Sequence, residues 1–269
     1  MGQPESVRRE LLSKLTSEEL DFLEYDWRFW AREKQLPPPG DWFIWAIKAG
    51  RGWGKDRTGA EWIRALVETG EYHQLGFVGP TAADVRDTMV EGPSGILAVC
   101  PPWNKPVYES SKRRVEWPNG AHALLFSADE PDRLRGPNLE AAWADEFGTW
   151  RRPDAWDMLR LCVRIGPRPR ICVTYTPKPL PHVKKLRLDP SCIMTVGSTY
   201  ENRANLAPEF YQQVISQYEG TRLGRARGSH GSHVRPPRGH AALARGSASG
   251  PCGDDGRDGL SGPPPRVPG

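Results

Sequence analysis

The sequence predicts an α/β domain with a largely parallel sheet flanked by helices, followed by a tail of different character. Three observations carry that prediction. Short apolar runs alternate with amphipathic stretches from residue 41 to 224, a glycine-rich turn joins the first such run to the first long amphipathic stretch, and the composition changes abruptly at residue 225. Strands alternating with helices imply a parallel sheet, and roughly 220 residues suffice for one such core.

Residues 1–40 read as an N-terminal helical segment. Leu11, Leu12, Leu15, Leu20 and Leu23 fall at helical spacing, Ser17 is placed as the N-cap of a second helix from Glu18, and Pro37-Pro38-Pro39-Gly40 breaks the pattern. The apolar run Phe43-Ile44-Trp45-Ala46-Ile47 predicts a buried strand, Gly50 to Gly54 a turn, and residues 57–68 a helix with Ala60, Ile63, Ala65, Leu66 and Val67 available for packing. Further strands are expected at 74–78, 140–145, 170–175 and 192–196, and helices at 81–90, 153–163 and 207–218. Residues 113–117 and 121–127 read as a hairpin around Pro118-Asn119-Gly120.

Composition narrows the function classes. The mean hydropathy is −0.62, and no run of about 18 apolar residues is present, so a membrane-spanning helix is not expected. The N-terminus lacks the apolar core of a secretion signal. Five cysteines (Cys100, Cys162, Cys172, Cys192 and Cys252) make an odd count without a CxxC pair, which argues against a disulfide framework or zinc knuckle and fits reduced thiols. The net charge of +4 arises in residues 225–269, which hold 7 Arg against 3 Asp; the remaining 224 residues balance 30 basic against 30 acidic side chains. The basic balance therefore says nothing about a nucleic-acid face on the folded part.

Ala49-Gly50-Arg51-Gly52-Trp53-Gly54-Lys55-Asp56 follows a predicted strand and opens a predicted helix, the setting of a P-loop. There, glycines let backbone amides wrap phosphates, the helix N-terminus adds positive potential, and the lysine reaches the β and γ oxygens. Ala49 stands where the first glycine is usual, and Asp56 where a serine or threonine hydroxyl normally binds Mg²⁺. Asp56 offers a carboxylate ligand but brings negative charge toward the phosphates.

A P-loop demands a second element, a hydrophobic strand ending in a metal-binding aspartate. Leu139-Glu140-Ala141-Ala142-Trp143-Ala144-Asp145-Glu146 supplies it, with Asp145 for Mg²⁺ and Glu146 to polarise the attacking water. Arg135, just upstream, and Arg51, within the loop, are candidate cations for the transferring phosphoryl group. The bland alternative for either is an exposed arginine in a surface ion pair.

These segments together resemble the large subunit of a tailed-phage or gene-transfer-agent DNA-packaging terminase. The resemblance runs over about residues 8–224 and also includes Gly59-Ala60-Glu61-Trp62, Leu134-Arg135-Gly136-Pro137, Trp150-Arg151, Thr174-Tyr175-Thr176-Pro177-Lys178-Pro179, Ser198-Thr199-Tyr200-Glu201-Asn202 and Tyr218-Glu219-Gly220-Thr221-Arg222-Leu223-Gly224. It implies an ASCE-type ATPase, using ATP and Mg²⁺, that docks as a ring on a portal protein and drives double-stranded DNA into a procapsid. It implies Lys55 on the phosphates, Asp145 on Mg²⁺, Glu146 as the catalytic carboxylate, and Thr174, Tyr175 and Thr176 as the motif coupling γ-phosphate to subdomain movement. In relatives a Gln or Arg before the first strand helps hold adenine, and Gln35 matches that position. The small terminase subunit is the further expected partner, and the host cytoplasm, transiently at the portal, the expected location. The competing readings are a truncated remnant that only binds portal or small subunit, which Asp56 would favour, and a generic helicase-like ATPase.

Relatives continue into a nuclease domain, which needs several carboxylates around two metal ions. After Gly224 the only acids are Asp254, Asp255 and Asp258, within a stretch of 10 Gly and 7 Pro over 45 residues. That tail is expected to be disordered, for want of apolar content. It reads either as an out-of-frame translation of GC-rich DNA, which the abrupt change favours, or as a native basic arm.

Overall fold

In the computed structural model, residues 10, 12–210 and 212 are described. The tail from 225 and most of the predicted 207–218 helix lie outside them, as does Leu11.

The first strand, β1 (Ile44–Ala49), shows why the sheet is covered on both sides. Ile44 and Ala46 are fully buried in one apolar cluster, and Trp45, Ile47 and Ala49 in another. A strand alternates its side chains, so burial of both parities requires a layer on each face. The first layer is the helix Lys55–Glu68, with Ala60, Ile63 and Val67 turned inward. Its Gly59 approaches the Trp143 ring so closely that a Cβ there would overlap it. Ala65, expected to pack, is exposed, because it falls on the opposite side of the helix from Ile63 and Val67. The second layer contains the helices Asp154–Cys162 and Pro181–Arg187, which bury Ala155, Trp156, Leu159, Val183 and Leu186.

The remaining strands are β2 (Gln74–Gly79), β3 (Val107–Glu109), β4 (Arg114–Glu116), β5 (His122–Ser127), β6 (Ala141–Ala144), β7 (Arg170–Tyr175) and β8 (Cys192–Gly197). They form one sheet in the order β3-β4-β5-β2-β6-β7-β1-β8. The six strands from β5 to β8 are parallel, and β4 and β3 add antiparallel at the β5 edge. One strand, β7, separates β1 from β6. The three therefore deliver their C-terminal ends side by side, where parallel sheets place ligands. Among the described residues no helix is long and apolar enough to cross a membrane.

Several elements differ from expectation in detail. The first complete helix runs Ser17–Glu24 and is capped by Thr16, not Ser17: Thr16 Oγ1 accepts from the Glu19 amide at 3.2 Å, and the Thr16 amide donates to Glu19 at 2.8 Å. Thr16 has the glutamate three residues on that a capping box needs, whereas Ser17 has Leu20. The 81–90 segment is one α-turn, Ala82–Asp84, continued as a π-helical turn, Val85–Val90. β3 and the helix Pro181–Arg187 have no counterpart among the elements the sequence predicts.

Candidate active site

The loop after β1 turns through two glycines with positive φ, Gly52 at +73° and Gly54 at +92°, a backbone region that side chains disfavour. Gly54 is the N-cap of the helix that Lys55 opens. Among the described residues the amides of Arg51, Gly52 and Gly54 donate to no protein acceptor. Together with the helix N-terminus they form a group of free donors suited to an anion.

Lys55 is buried beside three carboxylates. Its Nζ lies 2.7 Å from Glu146 Oε1 and 3.1 Å from Asp56 Oδ1. Burial works against the ammonium charge, but Asp56, Glu146 and Asp145 outweigh it and hold the lysine above its usual range. Among the described residues Asp56 Oδ1 is buried with no hydrogen-bond partner, so its contact with Lys55 is one of charge alone.

β6 delivers the other two acids. Trp143 and Asp145 share parity, which puts Asp145 on the same side of the sheet as the Lys55 helix. Asp145 is buried at 3% exposure and accepts a short hydrogen bond from Thr174 Oγ1. Burial, and then the Asp56 charge, push its carboxyl well above the ordinary aspartate range, against the pull of Lys55 and Thr174. Glu146 leaves the strand with φ +46°, a left-handed conformation that is rare for a non-glycine residue. Its carbonyl is held by the Thr149 amide at 2.7 Å and the Thr149 hydroxyl at 2.8 Å.

β7 supplies neutral donors to these acids. Thr174 reaches Asp145, Trp143 Nε1 donates to Thr174 Oγ1 at 3.2 Å, and Thr176 Oγ1 donates to Glu146 Oε1 at 3.4 Å. Tyr175 has the opposite parity, and its hydroxyl meets Met194 Sδ at 3.9 Å on the other face. The threonines therefore face the acids, and the tyrosine faces the core on the other side of the sheet.

A cleft of about 440 Å³ opens beside the loop, lined by Asp56, Thr81, Asp84, Asp129, Asp145, Glu146 and Arg151 among others. In the sequence Arg151 stands only within a segment of the family resemblance, and no local pattern gives it a role. Arg51 is exposed, and Arg135 lies on the surface with its Nε 3.1 Å from Asp132. Gln35 is buried behind the loop, where Nε2 donates to Thr58 Oγ1 at 3.0 Å and Oε1 accepts from the Arg32 amide at 3.2 Å. Ala49 is fully buried at the end of β1.

These donors fit a divalent cation with phosphate. Lys55, Asp56, Asp145 and Glu146 sum formally to −2, and among the described residues Asp56 Oδ1 is buried without a hydrogen-bond partner, a donor set that suits a cation. Among the described residues no three His, Cys, Asp or Glu side chains could hold a metal by themselves. A phosphate-bound Mg²⁺ does not require that, since it takes one or two carboxylates with phosphate and water completing the shell.

Residues 46–245 match the family model of the terminase large subunit, T4likevirus-type, N-terminal region. The chain belongs to this family. Among solved structures it is similar to the large terminase of a thermophilic bacteriophage in complex with ADP, with TM-score 0.53 and 13% identity, over 77% of this chain and 50% of that one. It is also similar to the large terminase ATPase domain of Thermus phage P74-26, with TM-score 0.54 and 14% identity, over 79% of this chain and 97% of that one. This terminase chain thus spans about half the length of the first of these, the ADP-bound protein. At these identities the likeness is one of fold. No match was found among curated proteins.

Proposed function

We propose that this chain is the ATP-hydrolysing motor part of a terminase large subunit, which drives double-stranded DNA into a viral procapsid. The observation that carries the proposal is the buried Lys55–Glu146 contact at 2.7 Å beneath the glycine loop, with Asp145 and Thr174 directly behind it. Family membership supplies the packaging context.

Lys55 and the loop amides would hold the β and γ phosphates. Asp145 and Asp56 would hold Mg²⁺, which when bound neutralises phosphate charge and orients the triphosphate. Glu146 takes the proton as a water oxygen attacks the γ phosphorus, and the bond to the β–γ bridging oxygen breaks to leave ADP and phosphate. Arg51, Arg135 and the cleft-lining Arg151 are the cations available for the charge on the transferring group. Thr174 and Thr176 each touch one of the acids, which supports a role in reading the γ-phosphate state into β7. The expected partners are portal protein, the small terminase subunit and further copies of this chain in a ring, with residues 41–224 as the ATPase core. The family match extends to residue 245, into the segment that composition sets apart at 225.

Binding of MgATP to purified protein, and DNA-stimulated hydrolysis, test the proposal. Lys55→Ala should weaken MgATP binding by about a hundredfold, since it removes a charge-assisted contact and leaves three carboxylates unopposed. Equal affinity of the two proteins would sink the P-loop assignment.

A further inference from the structure

The phosphate loop is held from behind by residues far away in sequence. Four successive loop carbonyls accept from protein donors. Arg51 O accepts from Thr199 Oγ1 at 2.8 Å and Gly52 O from Asn202 Nδ2 at 2.6 Å; Trp53 O accepts from Arg32 Nη2, and Gly54 O from Thr58 Oγ1 at 2.8 Å. Only the Thr58 bond is local. The donors are themselves fixed. Arg32 Nη1 donates to Asn202 Oδ1 at 2.6 Å, and its guanidinium lies over the Trp53 ring at 5.1 Å. Trp53 Nε1 in turn donates to Glu201 Oε2 at 3.0 Å, while Lys34 Nζ holds Glu201 Oε1 at 2.8 Å. The fit is tight enough that a Cβ at Gly50 would overlap Thr199 Oγ1.

A trans peptide carries its N–H opposite its C=O. Tying the carbonyls of residues 51 to 54 therefore sets the directions of the amides of Gly52, Trp53, Gly54 and Lys55. A free loop with two positive-φ glycines would lose conformational entropy each time it closed on phosphate, and presetting it removes that cost. We infer that Thr199, Asn202 and Arg32 are positioning residues, a clamp behind the loop that presets its amides for the β-phosphate of a nucleoside diphosphate or triphosphate. This rests on the reading of the loop as a phosphate site. The clamp residues lie on the side of the loop opposite its free amides and touch no reacting atom. Two of them belong to the segment Thr199–Asn205 that follows β8, so the readiness of the loop depends on where that segment sits.

The test measures dissociation constants for ADP and adenosine with the full chain, in wild type, Thr199→Val, Thr199→Ser and Asn202→Ala. Thr199→Val keeps the shape and loses the hydroxyl. It should weaken ADP about tenfold, the scale of one lost hydrogen bond in a preset site, and leave adenosine unchanged. Thr199→Ser should restore ADP affinity, and Asn202→Ala, at a half-exposed position, should behave like Thr199→Val. A purely structural role would lower the melting temperature without separating ADP from adenosine, or Val from Ser. Wild-type ADP affinity in both Thr199→Val and Asn202→Ala, or equal losses in Val and Ser, overturns the clamp. If that happens while Lys55→Ala weakens ADP binding strongly, the clamp alone fails. If wild type binds no ADP, the phosphate reading fails and the clamp falls with it.

Discussion

Two charge clusters of opposite logic centre on buried side chains of the helix Lys55–Glu68, Glu61 with Arg64 in one and Lys55 in the other. Near its C-terminal half, Glu61 is 1% exposed and accepts from Arg57 at 2.7 Å and Arg64 at 2.7 Å, while Arg64 also reaches Glu68 at 2.9 Å and the Tyr25 carbonyl at 2.7 Å. Two cations meet two anions, and Arg64 ties the N-terminal segment to the core. At its first turn, one lysine meets three carboxylates, one oxygen has no hydrogen bond, and one acid is pushed toward protonation. The first cluster is complete as it stands. The second carries a formal charge of −2, which suits the MgATP site proposed above. Burial of charge is thus common to both clusters, and imbalance is what sets the proposed site apart.

The largest expected effect lies in the unbalanced cluster. Glu146→Gln should keep MgATP binding and lower hydrolysis by about 10² to 10⁴, because an amide cannot take the proton from water. Hydrolysis within a few-fold of wild type would place the base elsewhere. In the balanced cluster, Glu61→Ala should cost about 3 kcal/mol in chemical denaturation, since it leaves Arg64, at 5% exposure, with only Glu68 and the Tyr25 carbonyl as partners, and should leave nucleotide affinity of the folded protein unchanged. A matching loss of affinity would erase the distinction between the clusters.

Smaller effects sharpen the contrast. Asp56→Thr removes one of the three carboxylates and supplies a neutral hydroxyl, so Mg-dependent turnover should rise by roughly a few-fold. A clear fall would mean that the Asp56 carboxylate serves the metal better than a hydroxyl does. The smallest effect concerns Glu201. Burial pushes its carboxyl up, but the bonds from Lys34 and Trp53 outweigh it and hold the carboxyl below its ordinary 4.5. A depressed carboxyl stabilises the fold above the unfolded pKa, and that contribution is lost as pH falls below 4.5 toward the folded value. The melting temperature of wild type should therefore fall more steeply in that range than that of Glu201→Gln. Parallel curves would remove Glu201 from the clamp's support.

Much of this was legible locally. β7 begins and ends at the residues that the apolar run marks, Arg170 and Tyr175. The glycine loop, its lysine and the Asp145-Glu146 pair stand at the strand ends where the motifs put them. Strand parity then sorts Thr174 and Thr176 toward the acids and Tyr175 away. Other features had no local signal. β3 is three residues long with Val107 mostly exposed, so no alternation marks it. The bonds of Thr199 and Asn202 to the loop span 148 and 150 residues; only the packing of β8 beside β1 brings them there. The Thr16 cap was present as T-x-x-E, one residue before the serine that competed with it.

The left-handed backbone at Glu146 has a consequence for anyone engineering this protein. Such a conformation costs a non-glycine residue of order 1 kcal/mol or more. A selection for heat resistance alone would therefore favour Gly or Asn at position 146, relaxing the backbone and thinning the crowd of carboxylates around Lys55. The same change removes the group proposed to accept the proton from water. Thermostable descendants found that way should melt higher and turn over less, and a library meant to keep both properties has to hold position 146 fixed and look for stability elsewhere.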